Sequence, residues 1–249
     1  KFSRKEFEKH IKLTSGVLEK ISLFGTPLES ITDDEIEVEI FPNRPDLLSF
    51  HLYIKSFLSF LGKNTGLRKY SLKKPEKNFE VKIDSSLKDI RPFTSCAIIK
   101  NLKLNTNKIK EIIDLQEKLH STIGRNRKKV AVGIYPLEKI SLPIKYTSLS
   151  PEKINFVPLD SEEEMTASQI LQNHPKGKEY AKLLSGFDRY PVFVDSKNNI
   201  LSMPPIINSQ ETGKVIESTA DVFVECSGSD LNILKKVLNI VVTMLAEMN

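Results

Sequence analysis

The run Ser202-Met203-Pro204-Pro205-Ile206-Ile207-Asn208-Ser209-Gln210-Glu211-Thr212-Gly213 constrains this chain more than any other. It follows the apolar pair Ile200-Leu201, and its two consecutive prolines lack backbone N–H groups, so regular structure has to stop there. Ser202, Asn208, Ser209, Gln210 and Thr212 then offer hydrogen-bonding side chains around the break. A short distance on, Val222 to Cys226 reads as a strand that breaks at Ser227-Gly228-Ser229. From Asp230 onward Leu231, Leu234, Leu238, Val241, Val242 and Leu245 repeat as one apolar helix face. A helix opened in this way leaves first-turn N–H groups free. The two segments are therefore expected to wall a polar pocket for a small ligand, one wall being a helix N-terminus.

Other elements follow from period and punctuation. Ser3 with Glu6 forms a capping-box pattern for a short helix through about Leu13. Glu35 to Ile40 alternates as a half-buried strand, and Asn43 to Asp46 reads as turn and cap of a helix closed by Gly62. The lysine-rich stretch 63–77, with Gly66 and Pro75 and no period, is the expected linker. Beyond it Phe79 to Ile83, Phe93 to Leu104, Val130 to Tyr135 and Ile144 to Tyr146 read as strands. Asn105 or Thr106 caps a helix to about Ile123, and another starts near Thr166 behind Glu162 to Glu164. Tyr190 to Asp195 and Ile200 to Met203 form a hairpin.

Composition removes several function classes. Hydrophobic residues at 39% and charged residues at 28% describe an ordinary globular protein, and no apolar run is long enough for a membrane helix. A chain of 249 residues that lacks an initial Met is expected to be a piece of a longer polypeptide. Cys96 and Cys226 are far apart, which fits two buried thiols in a reducing compartment and no structural zinc. There is no Walker loop, G-x-G-x-x-G, G-x-S-x-G or H-E-x-x-H, and the four histidines never fall at metal-ligand spacing. His120 reads either as a helix-face or core histidine or as a catalytic base. The net charge of +5 favours a polyanionic partner, and Arg125, Arg127, Lys128 and Lys129 concentrate it behind a helix end. That cluster either complements the helix dipole or contacts RNA phosphates.

Three segments carry a family resemblance: Ser202 to Ser209 (SMPPIINS), Gly124 to Tyr135 (GRNRKKVAVGIY) and Phe41 to Phe50 (FPNRPDLLSF). In the family's order and over nearly the whole chain, they resemble the beta subunit of phenylalanyl-tRNA synthetase in its archaeal and eukaryotic form. The resemblance implies an α+β protein, with a small N-terminal α/β domain and linker over 1–75 and a mixed-sheet editing domain with flanking helices over 76–249. In this family aminoacylation, with its ATP and Mg, belongs to the full alpha–beta ligase, so no cofactor is expected in this piece. The implied partners are tRNA(Phe), the alpha subunit of an α2β2 parent enzyme, and tyrosine or another mischarged amino acid. The implied location is the cytoplasm.

The implied activity is hydrolysis of tyrosine wrongly attached to tRNA(Phe). An apolar pocket cannot strongly reject an isostere that merely adds a hydroxyl, so a second site that binds the hydroxyl is needed. The resemblance carries over to Phe193 and Ser202 on the hairpin and to Glu225 and Ser227 at the strand end. The family pattern at that strand end is Asp-x-Thr-Gly, against Glu225-Cys226-Ser227-Gly228 here, and its hairpin leucine is Phe193 here. Glu225 is expected to orient water or bind the polar end of the substrate, Ser202 and Ser227 to hold its ester or amino group, and Phe193 to pack its ring. Pro204, Asn208 and Gly228 complete the expected substrate contacts, and Arg125, Arg127, Lys128 and Lys129 the expected tRNA contacts. No metal is required, because an aminoacyl ester is already activated; Asn208 and the N–H groups at Gly228 to Asp230 are candidate oxyanion donors. Two alternatives stand beside this: a tRNA-docking part of the subunit with a degraded pocket, and a free-standing ligand-binding domain. Ser227 and Ser229 also have a plain reading as caps of the last helix.

Overall fold

Phe2, Phe7, Tyr53 and Phe57 are large apolar rings, and burying them supplies the core of the first of two units. The computed structural model describes residues 1–248 and divides after Leu72. The first unit holds strand β1 (Phe2–Ser3), helices α1 (Arg4–Glu8) and α2 (Ser15–Leu23), strands β2 (Leu28–Ile31) and β3 (Glu35–Val38), and helix α3 (Phe50–Phe60). Its antiparallel sheet has the order β1-β3-β2. The Tyr53 hydroxyl lies 2.9 Å from Thr26 Oγ1, so the one polar atom of that buried ring is satisfied.

Two expectations for this unit are corrected. The first helix stops at Glu8, and a separate helix follows because Thr14 Oγ1 accepts the Val17 N–H as a new cap. The helix expected from Asn43 begins at Phe50, capped by Ser49, and Pro45–Leu48 forms only a 3-10 turn. Gly62, at φ +81°, ends α3 as expected. Residues 63–77 carry no helix or strand.

The second unit begins with β4 (Val81–Ile83), β5 (Phe93–Ile99), α4 (Thr106–Ser121), β6 (Val130–Pro136) and β7 (Ile144–Leu149). It continues through β8 (Asn155–Phe156), β9 (Met165–Thr166), α5 (Ala167–Asn173), α6 (Pro175–Tyr180), β10 (Tyr190–Val194) and β11 (Ile200–Met203). The last elements are β12 (Ile207–Asn208), α7 (Gln210–Gly213), β13 (Val222–Gly228) and α8 (Leu231–Glu247). A five-stranded sheet, β12-β11-β10-β7-β4, is antiparallel except at β4–β7. A three-stranded sheet, β5-β13-β6, is antiparallel throughout, and β8–β9 form a small pair. The α+β class holds.

Alternation along β13 puts Phe223, Glu225 and Ser227 on one face and Val222, Val224 and Cys226 on the other. The first face contributes Phe223 to a core shared with Tyr135, Tyr146, Phe193 and Leu201 from both sheets. Helix α8 packs on β5 and β13. The structure departs from the sequence reading at several points. Strand β5 ends at Ile99, just before Asn101 at φ +63°. Strand β13 does not break at Ser227, because the ladders to both neighbours run unbroken to Gly228. Helix α6 was not anticipated; His174 caps it and Pro175 occupies its first turn, where no N–H is needed.

Candidate active site

The hairpin and the strand end do approach one another, but through a residue that sequence reasoning did not select. Tyr135 lies on β6, opposite Phe223, and its ring turns back over Gly133. Its hydroxyl sits 2.8 Å from Ser202 Oγ, 3.3 Å from Asn208 Oδ1 and 3.4 Å from Glu225 Oε1. One phenol thus links three residues expected in the site. The phenol can give its one proton to only one of these groups, while its oxygen can accept from the Ser202 hydroxyl or from a protonated Glu225.

Glu225 is 2% exposed, and its Oε2 has no hydrogen-bond partner. Burial pushes its carboxyl up to about 8; the Arg91 charge and hydrogen bonds with Tyr135 and Ser227 offset this only partly. Near neutral pH the group is mostly a neutral acid. Burial likewise holds the Tyr135 hydroxyl protonated.

Glu225 borders a cavity of about 440 Å³, enough for an amino-acid side chain with its ester. Ile112, Glu117 and His120 of α4 form one wall, and Pro204 and Asn208 stand in another. Three buried side-chain atoms without hydrogen-bond partners, His120 Nδ1, Arg127 Nε and Glu225 Oε2, belong to residues lining this space. Such orphans are costly unless a ligand or water meets them. The geometry at His120 fixes its tautomer: Nε2 accepts the Val132 N–H at 2.9 Å, which leaves the proton on Nδ1. Nδ1 approaches Glu117 Oε1 only to 3.5 Å. Burial lowers the His120 pKa, keeping the ring neutral.

Arg127 is turned inward, away from the exposed Arg125 and Lys128. Its Nη1 donates to the Ile206 and Pro205 carbonyls at 2.8 and 3.2 Å, Nη2 donates to Glu117 Oε1 at 2.8 Å, and the guanidinium lies 4.3 Å from the Tyr180 ring centroid. Arg125, Asn126 and Arg127 all have positive φ (49°, 51° and 64°), a left-handed turn that carries the chain from α4 to β6. The expectation that all four basic residues face a nucleic acid together is corrected: Arg127 braces a cavity wall, Lys129 is half-buried, and Arg125 and Lys128 remain open.

The other expected residues lie further back. Phe193 stacks on Tyr146 with centroids 4.3 Å apart and rings 11° from parallel. Ser227 Oγ accepts from Arg91 Nε at 3.2 Å. A β-carbon on Gly228 would meet the Lys129 carbonyl at 2.0 Å, so this glycine serves close strand packing. None of these three borders the cavity, nor does Ser202, which reaches it through Tyr135. The helix N-terminus is no pocket wall either: Asp230 Oδ1 accepts the Asn232 and Ile233 N–H groups, so Asp230, not Ser227 or Ser229, caps α8. Among the described residues no group of three His, Cys, Asp or Glu could hold a metal, and no helix is long and apolar enough to cross a membrane.

Tyr135 and Arg91 were missed. Gly133-x-Tyr135 in a strand does place a glycine beneath an aromatic ring on the same face, and that spacing was the available signal. Arg91 stands in no pattern; only the tertiary fold brings it to Ser227 and to the Arg127 carbonyl.

Fold and site together define a two-unit α+β protein whose second unit opens a ligand-sized cavity onto a buried carboxylic acid. No family model matches the chain. It is 42% identical over 227 residues to the phenylalanine–tRNA ligase beta subunit of Methanosphaera stadtmanae, covering 91% of this chain and 40% of that protein. It is 46% identical over 205 residues to that of Thermococcus sibiricus, covering 82% and 36%. A crystal structure of an N-terminal fragment of the phenylalanyl-tRNA synthetase beta subunit from Pyrococcus horikoshii superposes with a TM-score of 0.90 at 37% identity, covering 99% of this chain and 72% of that one. The chain belongs to the phenylalanyl-tRNA synthetase beta-subunit family, and it spans about 40% of the curated relatives it matches.

Proposed function

We propose that the second unit hydrolyses the ester of tyrosine wrongly joined to tRNA(Phe), as the editing part of a beta subunit that works with tRNA(Phe) and an alpha subunit in the cytoplasm. The observation that carries this reading is the unpartnered Oε2 of Glu225 beside a cavity of about 440 Å³, in a carboxyl linked to Ser202 and Asn208 by one phenol. As pH approaches 8 the ionised fraction of the Glu225 carboxyl grows, and that form can accept a proton from the water that attacks the ester. Water then adds to the ester carbonyl, the tRNA terminal oxygen leaves as a hydroxyl, and free tyrosine is released. The exposed Arg125 and Lys128, with Lys129, remain the proposed contacts to tRNA phosphates.

A second reading, tRNA docking without hydrolysis, is favoured by the engagement of Phe193 with Tyr146 and of Ser227 with Arg91. The test is deacylation of tyrosyl-tRNA(Phe) beside phenylalanyl-tRNA(Phe), with the chain in excess and Glu225→Ala in parallel. Selective release of tyrosine, lost in the variant, is expected. Tight tRNA binding without release would favour docking alone.

A further inference from the structure

Of the β6 residues that line the cavity, one alone has an unpartnered outward donor and acceptor. In an antiparallel ladder, alternate residues turn both their N–H and C=O groups away from the partner strand. The Val132 N–H donates to His120 Nε2 at 2.9 Å and the Val132 carbonyl accepts from Gln116 Nε2 at 3.2 Å, so Val132 points outward and α4 covers it. The register to β13 is continuous, with Val132 opposite Cys226 and Ile134 opposite Val224, so Ile134 turns outward as well. No helix residue caps Ile134, whose outward groups take no hydrogen bond, and Ile134 lines the cavity. The next outward residue, Pro136, has no N–H at all. The free donor–acceptor pair at the cavity therefore belongs to Ile134 alone, with a helix-covered position on one side and a proline on the other.

Between these positions the strand has Gly133. A β-carbon there would stand 2.6 Å from Glu225 Oε1 and 2.5 Å from Tyr135 Oη. The missing side chain thus lets the Tyr135 hydroxyl and the buried carboxyl pack directly against the β6 backbone, one residue from Ile134. An isolated α-amino acid carries one backbone donor and one acceptor, the complement of one open strand residue.

We propose that the aminoacyl group of the substrate binds as a one-residue addition to β6, its α-amino group donating to the Ile134 carbonyl and its ester carbonyl accepting from the Ile134 N–H. The inference rests on the hydrolytic reading above and deepens it. It assigns recognition of the α-amino acid backbone to main-chain groups, independent of side chain, and makes the Ile134 N–H a donor to the oxygen that becomes negative during attack. A substrate extended by one further amide finds no second open donor–acceptor pair beside Ile134 on this edge.

The test uses the whole chain and two probes that cannot be hydrolysed. One is tyrosine joined to adenosine through an amide in place of the ester; the other is the same compound without its α-amino group. The first is expected to bind at least about 10-fold more tightly, corresponding to one lost hydrogen bond. It is also expected to protect the Ile134 amide from hydrogen exchange. Equal binding of both, with Ile134 unprotected, overturns the inference. In the deacylation assay, N-acetyl-tyrosyl-tRNA(Phe) is expected to be cleaved at least about 10-fold more slowly than tyrosyl-tRNA(Phe). Equal cleavage overturns the inference and leaves the hydrolytic reading standing. Absence of both binding and cleavage overturns the two together.

Discussion

Tyr135 and Ser202 meet hydroxyl to hydroxyl at 2.8 Å, and this bond joins the edge strand of the three-stranded sheet to the five-stranded one. Both residues are buried, so neither hydroxyl has bulk water as an alternative. Tyr135→Phe leaves the Ser202 hydroxyl and the Glu225 carboxyl short of a partner, and is expected to cost about 1–3 kcal/mol in urea unfolding. The Tyr135 bond lowers the Glu225 pKa, so the same variant is expected to raise it above its value of about 8. Infrared titration of the carboxyl would read that change directly.

Gly133 is expected to tolerate no side chain. In Gly133→Ala, either the Tyr135 ring or Glu225 must move by several tenths of an ångström or more. The expected loss of stability is about 1–3 kcal/mol, accompanied by loss of ligand affinity. Retention of full affinity in a folded Gly133→Ala chain would show that ligand binding does not depend on how Tyr135 and Glu225 pack against this residue.

The raised acid makes stability depend on pH with a definite sign. Glu225 has a folded value of about 8 against an ordinary carboxyl value of 4.5, so between those limits the folded chain holds a proton that the unfolded chain has lost. Its contribution therefore weakens stability as pH rises from about 4.5 to about 8. Glu225→Gln keeps the shape and removes the titration. Relative to wild type, the variant is expected to gain stability at pH 8.5 over pH 5, by up to a few kcal/mol. Chemical denaturation at the two pH values checks it, and parallel curves for the two proteins would contradict it.

The basic residues after α4 are expected to divide by function. Arg127→Ala removes three hydrogen bonds and the packing on Tyr180, and is expected to destabilise by about 3 kcal/mol. Arg125→Ala and Lys128→Ala should change stability by less than about 0.5 kcal/mol. They should instead flatten the salt dependence of tRNA binding, each by roughly one unit of slope. Salt titrations of binding beside thermal melts separate the two outcomes.

What was legible in the sequence was local. Period and punctuation located α4, β6, the Tyr190–Val194 and Ile200–Met203 hairpin, and the structureless stretch 63–77. Ends were less legible because competing caps sit close together: Thr14 restarts a helix after Glu8, and Asp230 outcompetes two nearby serines. At the site, Glu225, Asn208 and Pro204 were placed on the cavity by their strand end and proline break. The remaining contacts are long-range. Arg91 and Ser227 are 136 positions apart, and no periodicity reaches that far. Arg127 illustrates the converse, since its charged neighbours implied solvent while one left-handed turn aimed it inward.

The cover that α4 lays over Val132 bears on solubility as well as on recognition. An uncovered strand edge invites a neighbouring polypeptide to pair with it, and proteins that expose a long one risk assembling into aggregates. Pairing between chains needs a row of consecutive outward groups, and β6 interrupts that row with His120 and Gln116 on one flank and Pro136 on the other. A strand edge left open at a single residue can thus stay inert toward other proteins in a crowded solution.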